Sequence, residues 1–414
     1  MNFFSYQDGT LCAERVPLVE IAERFGTPSY VYSRAALEFA YREFSQACSG
    51  HDVLICYSVK ANSNLAVLNL LARLGSGFDI VSGGELARVL AAGGSAAKTV
   101  FSGVGKSEAE MRRALEAGVL CFNVESEGEL ARLAAVARSM GKVAPVSLRI
   151  NPDVDPGTHP YVATGLRESK FGIAYDAALP LYRKAAKLRE LRVVGIYVHI
   201  GSQITDVEPF VAALERVLEF VDVLQAAGLH LEHLDLGGGL GIRYRDEAPP
   251  AVKDYLERLF QRLGRRETRI LFEPGRSLVG NTGLLLTRIE YLKHGGAKNF
   301  VVTDAAMNDL LRPALYDAWH EVLPVTRRSG LAQRYDVVGP VCESADFLAR
   351  ERTLTVAAGE LLAIMSAGAY GMTMSSNYNS RPRSAEVMVD GKTAHLVRDR
   401  ESAESLFASE RLLP

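Results

Sequence analysis

The chain has 414 residues, 48% of them hydrophobic and 23% charged, with a formal net charge of -2. That length supports a large core and predicts two domains. The near-neutral balance excludes a global field suited to nucleic acid or an acidic membrane, and no uninterrupted apolar run approaches the roughly 20 residues of a spanning helix.

The opening stretch, MNFFSYQDGTLCAERVPL, lacks a basic segment followed by a long apolar one, so no secretion signal is expected. Five cysteines (Cys12, Cys48, Cys56, Cys121 and Cys342) form no CxxC pair. Cys48, Cys56 and Cys121 lie in or beside apolar runs and read as small core residues in a reducing, cytoplasmic compartment. TPSYVYS (27–33) ends an N-terminal segment that precedes the main repeat.

From residue 53 short β-branched runs alternate with longer amphipathic stretches. VLICYSV (53–59), FDIVS (78–82), TVFSG (99–103) and LCFNV (120–124) read as strands, as do VSLRI (146–150), VVGIYVHI (193–200), HLDLG (233–237) and RILFEP (269–274). Helical segments lie between them, such as LARLAAVARSMG (130–141) and PFVAALERVLEFVDVLQAAG (209–228), where Phe210, Leu214, Val217, Leu218 and Val221 recur at helical spacing. Eight strands separated by helices predict an α/β fold with a closed (β/α)8 TIM-type barrel; a doubly wound open sheet is the alternative. The Pro-, Gly- and Thr-rich stretch at 151–171 predicts a functional loop, a lid over the barrel mouth.

Beyond about residue 281 the pattern changes. LLLTRIEYL (284–292), NFVVTDA (299–305), YDVVGPVC (335–342) and SAEVMVDGKTAHLVR (384–398) predict strands and hairpins, with a turn at Asp390–Gly391. The expected division is an N-terminal segment at 1–30 joining the β domain, a barrel at 31–280, and a mostly antiparallel C-terminal β domain at 281–414.

In such a barrel the strand ends and the loops after them share one mouth. Lys60 follows the first strand and Asp79 lies within the second. Arg149 ends the fifth, His199 closes the sixth within HIGSQ, a triple glycine follows the seventh, and EPGR (273–276) follows the eighth. Each has an ordinary explanation. A lysine at a strand end usually reaches water, a lone histidine is usually a hydrogen-bonded core residue, three glycines make a tight turn, and Arg276 could simply pair with Glu273. Together they read differently. A desolvated lysine supplies a neutral amine for an aldehyde. Backbone amides freed of side chains suit a phosphate. A buried acid needs a partner, and a protonated pyridine nitrogen is one. Those three handles describe pyridoxal 5'-phosphate. No metal site is expected.

Cys342, beside Glu343 and near Asp346, is expected at the end of an apolar strand, in a polar spot favouring an accessible thiol over a buried one. Arg312 and Tyr316, four apart in RPALYDAWH, would face one way on a helical turn and clamp a carboxylate. Tyr370 stands between small residues in AGAYGMTMSSNYN.

YSVKAN, FDIVSGGEL, HIGSQ, LDLGGGLGI, EPGR, VGPVCESADF and AGAYGMTMSSNYN resemble the diaminopimelate decarboxylase family, within the fold-type III pyridoxal-phosphate enzymes. The resemblance runs in order from about residue 25 to the end. YSVKAN and HIGSQ suit the wider group, which includes ornithine, arginine and carboxynorspermidine decarboxylases. CESADF and RPALYDAWH point to the diaminopimelate branch, because amine-forming relatives usually carry Asp after the cysteine. Ala345 departs from the Gly of many members, beside the assigned roles rather than in them.

The resemblance implies a barrel joined to a β domain and decarboxylation of meso-diaminopimelate to L-lysine. It assigns catalytic roles to Lys60, His199 and Cys342. Lys60 would carry the cofactor and His199 would stack on its ring. Ser202, Gly238, Gly239, Pro274, Gly275 and Arg276 would surround the phosphate, and Glu273 would pair with the ring nitrogen. Arg276, Arg312 and Tyr316 would hold substrate carboxylate, Glu343 the distal ammonium, and Tyr370 would touch cofactor and substrate. It further implies a homodimer in which Cys342 serves the partner subunit's site. Alanine racemase shares the architecture but places an arginine near the ring nitrogen. A non-catalytic binder on the same fold would lack the lysine or the cysteine.

Overall fold

The computed structural model describes residues 3–155, 157, 170–264, 266 and 268–414. Most of the expected lid at 151–171 lies outside the described residues. The chain divides into two units: Ala40–Ile242 with Ala248–Ser277, and Met1–Phe39 with Arg243–Glu247 and Leu278–Pro414.

The first unit is the barrel. Its eight parallel strands are Val53–Ser58, Gly77–Ile80, Thr99–Phe101, Cys121–Val124, Ala144–Asn151, Leu191–Tyr197, His233–Asp235 and Arg269–Phe272. Each pairs with the next, and the eighth returns to the first through Ile270 opposite Val53, so the sheet closes. A two-residue strand, Ile173–Ala174, adds to the fifth. Four of the helices between them start on side-chain caps: Asn64, Ser82, Ser107 and Ser126 each accept a backbone N–H of the first turn, and Ser107 with Glu110 closes a reciprocal box.

Side chains of a strand return to one face every second residue. Leu54, Cys56, Val100, Cys121, Val194 and Leu271 form one apolar cluster within the barrel unit. Two residues further along four of these strand segments stand Ser58, Ser102, Asn123 and Glu273, all buried. The inward face therefore changes from apolar to polar toward the C-terminal ends, where a barrel presents its chemistry. Each fully buried aliphatic side chain in the apolar layer contributes about 1.5–3 kcal/mol. The polar layer has to be stabilised by pairing.

The second unit is built on a sheet that runs through Phe347–Leu354, Gln333–Val338, Asn299–Thr303, Gly283–His294, Ser29–Ser33, Ala385–Asp390 and Thr393–Arg398, with Leu361–Ile364 and Val322–Pro324 alongside. Most pairings are antiparallel. Ser29–Ser33 with Ala385–Asp390 and Asn299–Thr303 with Gln333–Val338 are parallel. The Ser29–Ser33 strand lies on both sides of the boundary expected at residue 30, because Tyr30 and Val31 register against Leu285 and Leu284 of this sheet. The segment Arg243–Glu247, expected within the barrel, also belongs to this unit. The hairpin at 385–398 turns on Gly391 (φ 62°) and Lys392, between Asp390 and Thr393. No helix among the described residues is long and apolar enough to cross a membrane.

Candidate active site

In the barrel unit, Lys60 sits in a single 3-10 turn, Val59–Ala61, directly after the first strand. Tyr57 Oη donates to the carbonyl of Asn62 at 2.9 Å and ties that turn down. Lys60 Nζ lies 2.9 Å from Asp79 Oδ2; the lysine side chain is one-third exposed and the aspartate fully buried. Ser58 Oγ donates to the same carboxylate oxygen at 2.9 Å and is 3.1 Å from the carbonyl oxygen of Glu273. The lysine is thus a charge partner for an acid inside the barrel, with an amine still reachable from outside.

Glu273 follows the eighth strand, its N–H donating to the carbonyl of Gly237 at 2.7 Å. Among the described residues neither carboxylate oxygen has a hydrogen-bond partner, and Asp79 Oδ1 and Asp235 Oδ2 also lack one. Arg276, the ordinary partner suggested by sequence, instead donates to Ser202 Oγ, from Nη2 at 3.1 Å and from Nε at 3.4 Å. Burial, then the charges of Asp235 and Asp79, push the Glu273 carboxyl well above its usual range. Burial also pushes Asp235 up to about 7, against the lowering effect of the Gly237 N–H that its Oδ1 accepts at 2.9 Å. An acid this buried and unpartnered is stable as a protonated group or beside a cationic donor.

His199, two residues past the sixth strand, accepts the Gly238 N–H on Nδ1 at 3.2 Å, which assigns its proton to Nε2. Burial, with the nearby charges of Lys60 and Arg149, holds it well below the usual imidazole range. A neutral ring can lie against an aromatic cofactor without adding a charge to the site. The Gly238 amide, expected to face a phosphate, is committed to His199. The loop needs glycine for close approach: a Cβ on Gly238 would lie 2.1 Å from the Glu273 carbonyl oxygen, and one on Gly239 (φ 118°) 2.6 Å from that of Gly201.

Arg149 forms a buried pair with Glu125 at 3.1 Å and reaches the His199 carbonyl at 3.4 Å. Glu125 also accepts the N–H groups of Gly103 and Gly172. Asp235, Asn123 and Glu125 escaped the reading by sequence. The signal available for Asp235 was a charged residue inside the apolar strand HLDLG.

Within the β unit, Arg312 and Tyr316 bound the five-residue helix Arg312–Tyr316. Arg312 is buried, and its Nη1 lies 2.8 Å from His320 Nε2. Cys342 is not at a strand end. The strand stops at Val338 because Gly339, where a Cβ would sit 2.5 Å from Ala306, and Pro340 break the ladder. Cys342 and Glu343 lie in an exposed turn. Cys342 N–H donates to Asn379 Oδ1 at 2.9 Å, and buried Asp346 accepts the N–H groups of Met307 and Val341. Asp346 therefore holds the turn rather than making it polar. Tyr370 has φ 55°, between the tightly approached Gly368 and Gly371. A left-handed tyrosine costs about 1–3 kcal/mol and marks a constrained position.

The donor set of the barrel unit fits pyridoxal phosphate. An amine is paired with a buried acid, a second acid has no partner, a neutral imidazole stands beside them, and glycine loops and Arg276–Ser202 lie at neighbouring strand ends. Fold and site together define a pyridoxal-phosphate-dependent enzyme. Comparison with known proteins agrees. Residues 34–280 match the family model described as pyridoxal-dependent decarboxylase, pyridoxal binding domain. The diaminopimelate decarboxylase of Pseudomonas aeruginosa is 61% identical over 414 residues, covering 100% of both chains. Among solved structures, the diaminopimelate decarboxylase of M. jannaschii in co-complex with L-lysine superposes with a TM-score of 0.95 at 36% identity, covering 100% of this chain and 98% of that one. That of Helicobacter pylori complexed with L-lysine gives 0.92 at 41% identity, covering 95% and 99%. The chain belongs to the diaminopimelate decarboxylase family of pyridoxal-dependent decarboxylases.

Proposed function

We propose that this protein removes the carboxylate at the D centre of meso-diaminopimelate, releasing carbon dioxide and L-lysine, the last step of lysine biosynthesis. The observation that carries the reading is Glu273: a carboxyl inside the barrel unit, without a hydrogen-bond partner among the described residues, in the same polar layer as the Lys60–Asp79 pair.

Pyridoxal phosphate, when bound, supplies an aldehyde for the substrate amine and a ring that accepts the electron pair left by carbon dioxide. Lys60 would hold the cofactor through its side-chain amine. Glu273 would give its proton to the ring nitrogen and, as a carboxylate, hold it there. Asp79 steadies the Lys60 ammonium once the amine is released. His199, kept neutral chiefly by burial and oriented by the Gly238 N–H, would cover one ring face. Ser202, Gly239, Gly275 and Arg276 hold the phosphate, with Gly238 giving shape rather than an amide.

Arg276, Arg312 and Tyr316 bind the carboxylate that stays on the product, Glu343 binds the distal ammonium, and Tyr370 touches cofactor and substrate. Cys342 returns a proton to the carbon that lost carbon dioxide. Its place in an exposed turn supports a role toward a second copy of the chain, hence a homodimer with shared sites in the cytoplasm.

Carbon dioxide release by the cofactor-loaded protein, compared for meso-diaminopimelate, ornithine, arginine and lysine, tests the reading. Strong preference for diaminopimelate with accumulation of lysine is expected. Preferential release from ornithine or arginine would overturn the substrate assignment and leave the cofactor site standing.

A further inference from the structure

Arg312 is buried within the β unit, and two neighbours of that unit fix it. Its Nη1 lies 2.8 Å from His320 Nε2, and its guanidinium carbon is 4.5 Å from the centre of the Tyr244 ring. His320 is fully buried, and its other nitrogen, Nδ1, lies 2.8 Å from the carbonyl oxygen of Met365. A carbonyl accepts only, so Nδ1 carries the proton, and Nε2 is left as the acceptor for an arginine that donates only. The backbone of His320 is held as well, its carbonyl accepting Arg352 Nη2 at 3.1 Å. Tyr244 packs edge-on against the His320 ring with centroids 5.4 Å apart. Its own turn is closed by Glu247, which accepts the N–H groups of Tyr244 and Arg245 at 3.0 and 2.7 Å. Tyr244 thereby ties Arg243–Glu247 to the β unit, as does Arg245 over the Trp319 ring.

We infer that His320 is a positioning residue for substrate recognition: as a neutral acceptor, with Tyr244 packed edge-on beside it, it fixes the plane of the Arg312 guanidinium for a substrate carboxylate. The inference rests on the reading of Arg312 as a carboxylate clamp. A guanidinium held in one plane offers its fork to a carboxylate with little orientational freedom to lose, whereas a loose arginine loses that freedom on binding. The specificity element is then four residues from two distant segments, Tyr244 with Arg312, Tyr316 and His320.

The two ring nitrogens allow a clean test. Asparagine at 320 places an amide N–H near Nδ1 and keeps the bond to Met365, but it loses the acceptor for Arg312. Glutamine places its amide near Nε2 and restores that acceptor. In holoenzyme kinetics, His320→Asn is expected to raise KM for meso-diaminopimelate and the inhibition constant of L-lysine together, each about tenfold, from loss of one charge-assisted bond. The change in kcat is expected to stay under about twofold, and inhibition by 1,5-diaminopentane, which has no carboxylate, to stay within about twofold. His320→Gln should recover most of the loss. Equal weakening of lysine and 1,5-diaminopentane, or equal defects in the two variants, would overturn the inference by making His320 a general packing residue. Arg312→Lys separates the two levels. If it raises KM while His320→Asn does not, the positioning role fails alone. If neither Arg312→Lys nor His320→Asn moves KM, the clamp reading fails first.

Discussion

Lys60 and Asp79 meet at 2.9 Å, the lysine partly open to solvent and the aspartate fully buried. The pair explains why an ammonium follows a buried strand: it offsets the cost of a carboxylate within the barrel while keeping its amine within reach of a ligand. Turnover should therefore depend on Lys60 in a way that folding does not. Lys60→Ala is expected to lower kcat by at least about a thousandfold and to destabilise the cofactor-free protein by only about 1–2 kcal/mol, since the lysine is partly solvated. Steady-state rates beside urea unfolding curves check both halves. Wild-type-like turnover would sink the assignment of Lys60.

The buried acids make stability depend on pH. Asp235 is raised to about 7 and Glu273 is raised further from its ordinary value, both chiefly by burial. A carboxyl whose folded pKa exceeds its unfolded one favours the folded state fully below the unfolded value, near 4, and loses that advantage as pH rises through the folded value. For Asp235 that window runs from about 4 to 7, at about 1.4 kcal/mol per pH unit and per proton. Cofactor-free protein should lose stability across it. Asp235→Asn, which can still accept the Gly237 N–H, should flatten the loss. Urea midpoints at pH 5 and pH 8 measure this, and parallel curves for both proteins would contradict it.

Cys342 should act through protonation rather than through carbon–carbon cleavage. Cys342→Ala is expected to cost about a hundredfold in lysine formation, with side products from misplaced protonation, while cofactor binding is retained. Mixing Cys342→Ala with Lys60→Ala protein tests whether sites are shared between copies. Recovery of a fraction of wild-type activity is expected, and no recovery would place Cys342 and Lys60 in the same chain's site.

Glu343 is exposed in the same turn. If it meets the distal ammonium, Glu343→Ala should raise KM for diaminopimelate by about ten- to a hundredfold with a smaller effect on kcat. Equal loss of kcat and kcat/KM would assign it a part in the chemical step instead.

The barrel was legible because parallel strands buried on both faces read as continuous apolar runs, and because polar residues mark their C-terminal ends. Lys60, His199, Glu273 and Arg276 stood out as polar groups at or just beyond the ends of such runs. Other features depended on long-range packing. SYVYS reads as a strand at any address, and its pairing with Gly283–Leu286 on one side and Ala385–Val389 on the other puts it in the β unit. RYRDE at 243–247 looks like an ordinary loop until Tyr244 meets Arg312. Gly238 looked like a phosphate amide because sequence does not say where an N–H points, and here it points to His199. Asp235 was hidden because one acid in a short apolar strand has no sequence neighbour to announce the cluster it joins.

The most direct test of the central claim is to reduce the pyridoxal-phosphate-loaded protein with borohydride and map the modified peptide by mass spectrometry. The account predicts the cofactor's mass on Lys60, with labelling lost in Lys60→Ala. Labelling on a different lysine, with Lys60 unmodified, would contradict it.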